Sequence, residues 1–239
     1  MPVPSYHTTC TRKELITRDV YELSFTKPEG FTFIPGKFVL FDIPLIENEK
    51  DIQTRALSIA SRPDEEELLF LVKLVPGGRL SRWIVEVLKE GTEVRIQGPF
   101  GNFLVDRKTM KEYLFLATGT GLAPFLPQIE QILKEGDTRT IDLIFGVRSP
   151  EDLFWIDRFT ALEATYPHFH FHIALSDKEK TDHPHFCGRI QELLHAKQWE
   201  LSQKNVYVCG SPGMIKDIKE LCLTSWNVPK ADLHFEAYI

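Results

Sequence analysis

Tyr113-Leu-Phe-Leu-Ala-Thr118-Gly119-Thr120-Gly121-Leu122-Ala123-Pro124 is an apolar run that breaks into a glycine-rich loop, with the helical stretch Phe125–Lys134 behind it. A strand, a glycine loop and a helix start, in that order, form the setting in which a backbone cradles phosphate. The glycines let the main chain approach an anion, and the helix start offers unpaired N–H groups and the positive end of its dipole. Pro124 stands where the third glycine of a G-x-G-x-x-G fingerprint would be. The loop alone therefore leaves two readings, a phosphate cradle or a tight turn that binds nothing.

Beyond the loop the alternation continues. The runs Ile141–Val147, Phe169–Leu175, Asn205–Cys209 and Leu233–Tyr238 are interleaved with helical stretches over Asp152–Thr165, Ile190–Lys197 and Gly213–Trp226. That grammar predicts an open, mostly parallel sheet covered on both faces. Val206-Tyr-Val-Cys209-Gly210-Ser211-Pro212-Gly213-Met214 is a second strand–turn–helix, at the carboxyl end of its strand, where such sheets bind ligands. A cysteine there either touches a bound ring or serves as a small packing residue.

Before the loop the chain reads differently. Tyr21–Thr26, Phe31–Ile34, Lys37–Ile43, Glu67–Lys73 and Thr92–Gln97 read as short strands, with Pro35-Gly36 as a turn. One helix is predicted from Ser81 to Lys89, with Ser81 as its N-cap and Gly91 beyond its end. Strands of this kind suggest a barrel or a sandwich. The change of grammar falls in the charged stretch Asp106–Lys111, which divides the chain into residues 1–107 and 108–239.

Composition narrows the class. The 239 residues are 43% hydrophobic and 26% charged, and 28 basic against 34 acidic side chains give a net charge of −6. No basic block points to nucleic acid. Cys10, Cys187, Cys209 and Cys222 are far apart, so a disulfide framework, a zinc knuckle and a cysteine-ligated iron–sulfur cluster are poorly supported. With no 18-residue apolar run and no leader-like N-terminus, the expectation is a cytoplasmic protein without a membrane span.

The first half adds three motifs. Arg55-Ala-Leu57-Ser58 sets a fixed cation three residues before a hydroxyl. Pro76-Gly-Gly78-Arg-Leu80-Ser81 leads into the predicted helix, and Gly98-Pro-Phe-Gly101-Asn-Phe103 is a rigid aromatic turn. Together with Gly119-Thr-Gly121-x-Ala-Pro124, Cys209-Gly-x-Pro212-x-Met214 and Phe235-Glu236-Ala-Tyr238, these stand in the order and approximate spacing of one family. The chain resembles the ferredoxin–NADP reductase superfamily, including the reductase modules of bacterial oxygenases, from about residue 5 to the end.

The resemblance implies an N-terminal antiparallel β-barrel for the flavin (1–107) and a C-terminal α/β open parallel sheet of five strands for NAD(P)H (108–239). It assigns Arg55 to the flavin diphosphate, Ser58 to the flavin N5 region, and Gly78, Leu80 and Ser81 to the pyrophosphate through their backbone N–H groups. Val72 and Lys73 line the flavin edge. Leu57 stands where the family usually has a tyrosine against the isoalloxazine. Thr118, Gly119, Thr120, Gly121 and Pro124 cradle the NAD(P)H pyrophosphate, Cys209 lies beside the nicotinamide C4, and Gly210 allows close approach. Tyr238 covers the other flavin face and moves aside for nicotinamide, and Glu236 is a carboxylate at the active site. The implied function is an NAD(P)H oxidoreductase with FAD rather than FMN. It passes hydride from nicotinamide C4 to flavin N5, then single electrons to a separate ferredoxin, flavodoxin or oxygenase component. A reductase of a multicomponent oxygenase and a non-catalytic nucleotide sensor are the alternatives.

Arg148 is placed for a 2′-phosphate, but Ser176-Asp177 follows the next strand and Asp177 repels one; Lys178 and Lys180 come after it. The balance leans to NADH over NADPH. His168-Phe-His170-Phe-His172 alternates histidines, with His183 and His185 nearby, yet reads as a polar strand face rather than a metal site. Arg79, Arg82, Arg107, Lys108 and Lys111 are weighed as a basic patch for an acidic carrier against scattered solvated charge.

Overall fold

The computed structural model describes residues 3–177 and 184–238, and it divides into two compact units. Lys178, Lys180 and His183 lie outside the described residues. The first unit runs to Leu104 and includes Leu126–Gln131; the second holds Val105–Phe125 and the chain from Ile132 onward.

In the first unit, β1 (Ser5–Leu15), β2 (Val20–Thr26), β3 (Phe38–Leu45), β4 (Asn48–Ser58), β5 (Glu67–Lys73) and β6 (Glu93–Phe100) form one sheet in the order β4-β3-β6-β1-β2-β5. Every pairing is antiparallel. β1 changes partner at a bulge: Ser5–Thr9 pairs with β6, and Cys10–Leu15 with β2. The Ala60 N–H donates to the Leu69 carbonyl at 2.8 Å, bridging the chain after β4 to β5. Alternate residues face inward, and Phe25, Phe41 and Phe70 meet edge-on with centroids 5.0–5.9 Å apart. Trp83 and Ile84 of α1 (Arg79–Glu86) complete this core.

Three readings of this half change. Phe31–Ile34 is not a strand: Phe31 is a core plug, edge-on to Tyr6 at 5.1 Å. β1 and β4 are strands beyond those the sequence predicts, β4 because residues 48–54 are exposed on both faces and carry no apolar alternation. The helix begins three residues early, with Gly78 rather than Ser81 as its N-cap, because the Ser81 Oγ accepts the Val75 N–H at 2.7 Å and shapes the preceding turn instead.

In the second unit, β7 (Glu112–Thr118), β8 (Ile141–Val147), β9 (Phe169–Leu175), β10 (Phe186–Cys187), β11 (Lys204–Gly210) and β12 (Leu233–Ala237) form a parallel sheet in the order β10-β9-β8-β7-β11-β12. It has six strands rather than five, the extra one being the two-residue β10 at the edge beside β9. α2 (Phe125–Lys134), α3 (Ile156–Thr165), α4 (Ile190–Lys197) and α5 (Pro212–Thr224) connect the strands. Both faces are covered, so β7 is apolar throughout: Leu114 and Leu116 pack with Leu193, Ile215 and Ile218, while Phe115 meets Phe125 and Tyr207, each at 5.0 Å. α3 starts later than expected because Trp155 adopts φ 58° and Ser149–Asp152 forms a separate capped turn. Among the described residues, no helix is long and apolar enough to cross a membrane.

Candidate functional site

The first unit gathers the flavin candidates on β4, β5 and the start of α1. Arg79 holds α1 to β4, its guanidinium bidentate on Asp51 at 3.0 and 3.2 Å. On β4, Arg55 donates only to neutral acceptors, the Thr54 carbonyl at 2.9 Å and Gln53 Oε1 at 2.6 Å. A cation with no carboxylate partner among the described residues suits a diphosphate. Ser58 is buried at the strand end, and Leu57 is half-buried against the core. The first intrahelical bond of α1 runs from the Arg82 N–H to the Gly78 carbonyl at 2.9 Å. The N–H groups of Arg79, Leu80 and Ser81 are thus left outside the helical ladder. The N-cap Gly78 has no side chain to cap this helix, and no acid lies in its first turn. Gly77, with φ +72°, has open space where a side chain would project. These features fit a phosphate group. Val72 fits its expected place less well: its side chain points into the core, so only its main chain stands at the sheet edge. Lys73 is exposed and pairs with Asp19 at 3.2 Å.

The second unit gathers the dinucleotide candidates where the strand order reverses, at the carboxyl ends of β7 and β11. Gly119 has φ +52° and open space around it, as a phosphate cradle requires. Gly121 and Gly210 are glycines for a different reason. A Cβ on Gly121 would stand 2.3 Å from the Cys209 carbonyl oxygen, and one on Gly210 would stand 2.1 Å from Thr118 Oγ1. The two loops pack directly on each other. Thr118 and Thr120 are half-buried, Pro124 is buried, and the 3₁₀ turn Gly119–Leu122 leads toward α2.

Cys209 is fully buried, and its register partner on β12 is Glu236. Burial pushes its thiol well above the ordinary range and the Glu236 carboxylate adds to this, while the Tyr238 side chain pulls the other way. The thiol is therefore a neutral group at the end of β11. The Tyr238 N–H donates to the Gly210 carbonyl at 3.0 Å, which seats the last described residue on the second loop. Thr118, Gly121, Cys209, Gly210, Glu236 and Tyr238 thus come together. Ser211, not singled out in the sequence, belongs with them: its N–H donates to Thr118 Oγ1 at 3.1 Å and its Oγ accepts the Met214 N–H at 3.4 Å, capping α5. The signal for it was Ser-Pro at a helix start.

Arg148 is exposed at the end of β8, and its carbonyl accepts the Asp177 N–H at 2.8 Å, so the cation and the acid weighed for nucleotide choice are neighbours. Of the five cations weighed as a basic patch, four are paired with acids and Lys108 is not among them. Arg79 meets Asp51, Arg82 meets Glu47 at 2.8 Å, Arg107 meets Glu135 at 2.5 Å, and Lys111 meets Asp232 at 2.9 Å. The histidine strand is also differently used. His168 precedes β9, and His172 Nε2 lies 3.4 Å from Asp142 Oδ1. Among the described residues, no group of three or more His, Cys, Asp or Glu is arranged to hold a metal.

Two family models match the chain: the oxidoreductase FAD-binding domain over residues 7–104, and the oxidoreductase NAD-binding domain over residues 115–220. The toluate 1,2-dioxygenase electron transfer component of Pseudomonas putida is 30% identical over 206 residues, covering 86% of this chain and 59% of that one. The propane 2-monooxygenase reductase component of Rhodococcus jostii (strain RHA1) is 28% identical, covering 100% of this chain and 65% of that one. The chain thus spans about three fifths of the length of these curated relatives. Among solved structures, a ferredoxin NADP+ reductase from Neisseria gonorrhoeae with bound FAD and NADP shares the fold, with a TM-score of 0.85, 23% identity and 98% of each chain covered. The Amycolatopsis cytochrome P450 reductase GcoB gives 0.85 at 24% identity, covering 99% of this chain and 71% of that one.

Proposed function

The chain belongs to the ferredoxin–NADP reductase superfamily, an FAD-binding domain followed by an NAD-binding domain, and on that premise we propose that it is an FAD-dependent NAD(P)H reductase serving a separate electron carrier. The observation that carries the reading is the presence of two phosphate-fitted elements: the α1 start, tied to the strand of Arg55 through Arg79 and Asp51, and the open Gly119 loop at the strand-order reversal. We divide the two parts at residues 107/108.

Bound FAD would supply the chemistry that joins a two-electron nicotinamide donor to one-electron acceptors. The protein's part is binding and alignment. Arg55 and the N–H groups of Leu80 and Ser81, led in by Gly78, hold the flavin diphosphate. Leu57 would cover the ring, Ser58 would bond near its N5, and the main chain of Val72 with Lys73 would border its edge. Gly119, Thr120, Gly121 and Pro124 hold the dinucleotide pyrophosphate, with Arg148 toward the adenosine end. Cys209, Gly210, Glu236 and Tyr238 form the nicotinamide end, where the neutral thiol offers a soft, uncharged wall. Asp177 beside Arg148 favours NADH over NADPH, since a carboxylate repels a 2′-phosphate.

The names of the relatives favour an oxygenase component, or the ferredoxin that serves one, as the acceptor. An anaerobic titration of flavin-loaded protein with NADH and NADPH in separate runs tests the reading. Fast bleaching of the flavin band near ~450 nm by NADH is the expected result. Bound flavin that neither nucleotide bleaches overturns it and leaves a nucleotide sensor.

A further inference from the structure

The peptide group joining Gly210 to Ser211 is held from both sides. Its carbonyl accepts the Tyr238 N–H at 3.0 Å, and its N–H donates to Thr118 Oγ1 at 3.1 Å. The backbone ladder between β7 and β11 ends one rung earlier, at Ala117–Cys209, and that between β11 and β12 ends at Gly210–Ala237. The Thr118 side chain therefore extends the first ladder by one step, and the Tyr238 amide extends the second, both onto one planar unit. A peptide plane is rigid, so a rotation that follows one partner breaks the bond to the other. No slack surrounds it, since Gly210 has no room for a Cβ against Thr118 and Gly121 has none against the Cys209 carbonyl.

We propose that Thr118 is a positioning residue whose hydroxyl, acting through the Gly210–Ser211 peptide, sets Tyr238 and so fixes the nicotinamide end of the dinucleotide site. This replaces a direct role in the pyrophosphate cradle, and it rests on the dinucleotide-binding reading above. Thr118 sits at the root of the phosphate loop, with Gly119 next to it. The hydroxyl thus serves the nicotinamide end while the pyrophosphate rests on the residues that follow it in the loop. The competing role is a direct bond from the Thr118 O–H to phosphate.

The test uses the full chain and two variants. Thr118→Val keeps the shape and loses the acceptor; Thr118→Ser keeps the acceptor. In nucleotide-free protein, amide hydrogen exchange at Ser211 and Tyr238 is expected to quicken about fivefold or more in T118V, the worth of one hydrogen bond, and to stay near wild type in T118S. Binding is then measured with ADP-ribose, which has the pyrophosphate and no nicotinamide, and with NAD+. T118V is expected to leave ADP-ribose affinity unchanged and to weaken NAD+ by about fivefold, with T118S restoring it. An unchanged Tyr238 exchange rate in T118V overturns the proposal, and so does an equal loss for ADP-ribose and NAD+. A wild-type chain that binds neither compound overturns the dinucleotide reading itself, and the nicotinamide role falls with it.

Discussion

The Lys204 ammonium lies 2.9 Å from the Asp142 carboxylate, with both side chains almost wholly removed from solvent, at 9% and 6% exposure. Glu112 approaches the same ammonium at 2.9 Å, and His172 approaches the other oxygen of Asp142 at 3.4 Å. Burial opposes ionisation of both Lys204 and Asp142, yet hydrogen bonds from His172 and Lys204 hold the Asp142 carboxyl below its ordinary range, and those to Glu112 and Asp142 hold the Lys204 ammonium above its own. Breaking such a pair strands a buried charge. Lys204→Met is expected to cost about 3 kcal/mol and to lower the Tm by roughly 6 °C or more. Lys204→Met with Asp142→Leu should recover much of that loss by thermal melt. A single variant that melts like wild type would show the pair to be idle.

Asp137 gives the acid limb. The Arg139 guanidinium beside it, at 2.5 Å, brings its carboxyl down to about 2. Its folded value lies below its unfolded one, so its contribution is present above about pH 4 and is lost as the pH falls toward 2. That contribution is at most about 2 kcal/mol, reduced by solvent screening. Denaturant titrations at stepped pH should show Asp137→Asn less stable at neutral pH and flatter between pH 4 and 2.

The glycines of the two loops should not respond alike. In the nucleotide-free fold Gly119→Ala meets open space and costs only the left-handed backbone penalty, about 1 kcal/mol, while in binding its methyl stands where the pyrophosphate would lie. Gly210→Ala drives a methyl into Thr118 and should abolish dinucleotide binding or prevent folding of the second unit. Melting temperature and NAD+ affinity, measured on both, decide the matter. Equal melting temperatures would mean that the loop–loop packing is slack.

Arg55→Ala should weaken FAD binding by about tenfold or more, the worth of a charge-assisted bond. Melting of the flavin-free chain should not move, because Arg55 bonds only to its own strand. Leu57→Tyr should retain flavin and activity; a collapse of flavin binding would mean a different local geometry.

Cysteine chemistry offers a further check. Cys187 is exposed, while Cys10, Cys209 and Cys222 are buried, with thiols pushed up by desolvation, Cys222 to about 12. Iodoacetamide at pH 8 followed by mass spectrometry should label Cys187 first and spare the other three. The rate of hydride transfer should show no ionisation from Cys209 below pH 9.

Much of this was legible because the signals are local. β7, its loop and α2 lie in one continuous stretch, and the apolar runs of the parallel sheet are unbroken because both faces are covered. β4 was hidden because its outer residues face solvent on both sides and only its register with β3 makes it a strand. Phe31–Ile34 looked like a strand for its aromatics, which serve as core plugs. Ser81 looked like an N-cap, but its hydroxyl is engaged by Val75, a choice made by turn geometry rather than residue type. Thr118 and Ser211 are 93 positions apart, and no pattern in the chain announces their bond.

The mutual exclusion of side chains by Gly121 and Gly210 has a practical reach. Each loop is cut to the outline of the other, so neither is an independent module for exchange. A graft that swaps the Gly119–Leu122 turn for a relative's, in order to retune nucleotide choice, inherits a mismatch unless Cys209–Gly213 travels with it. The unit of transplantation is the pair of loops together with Thr118.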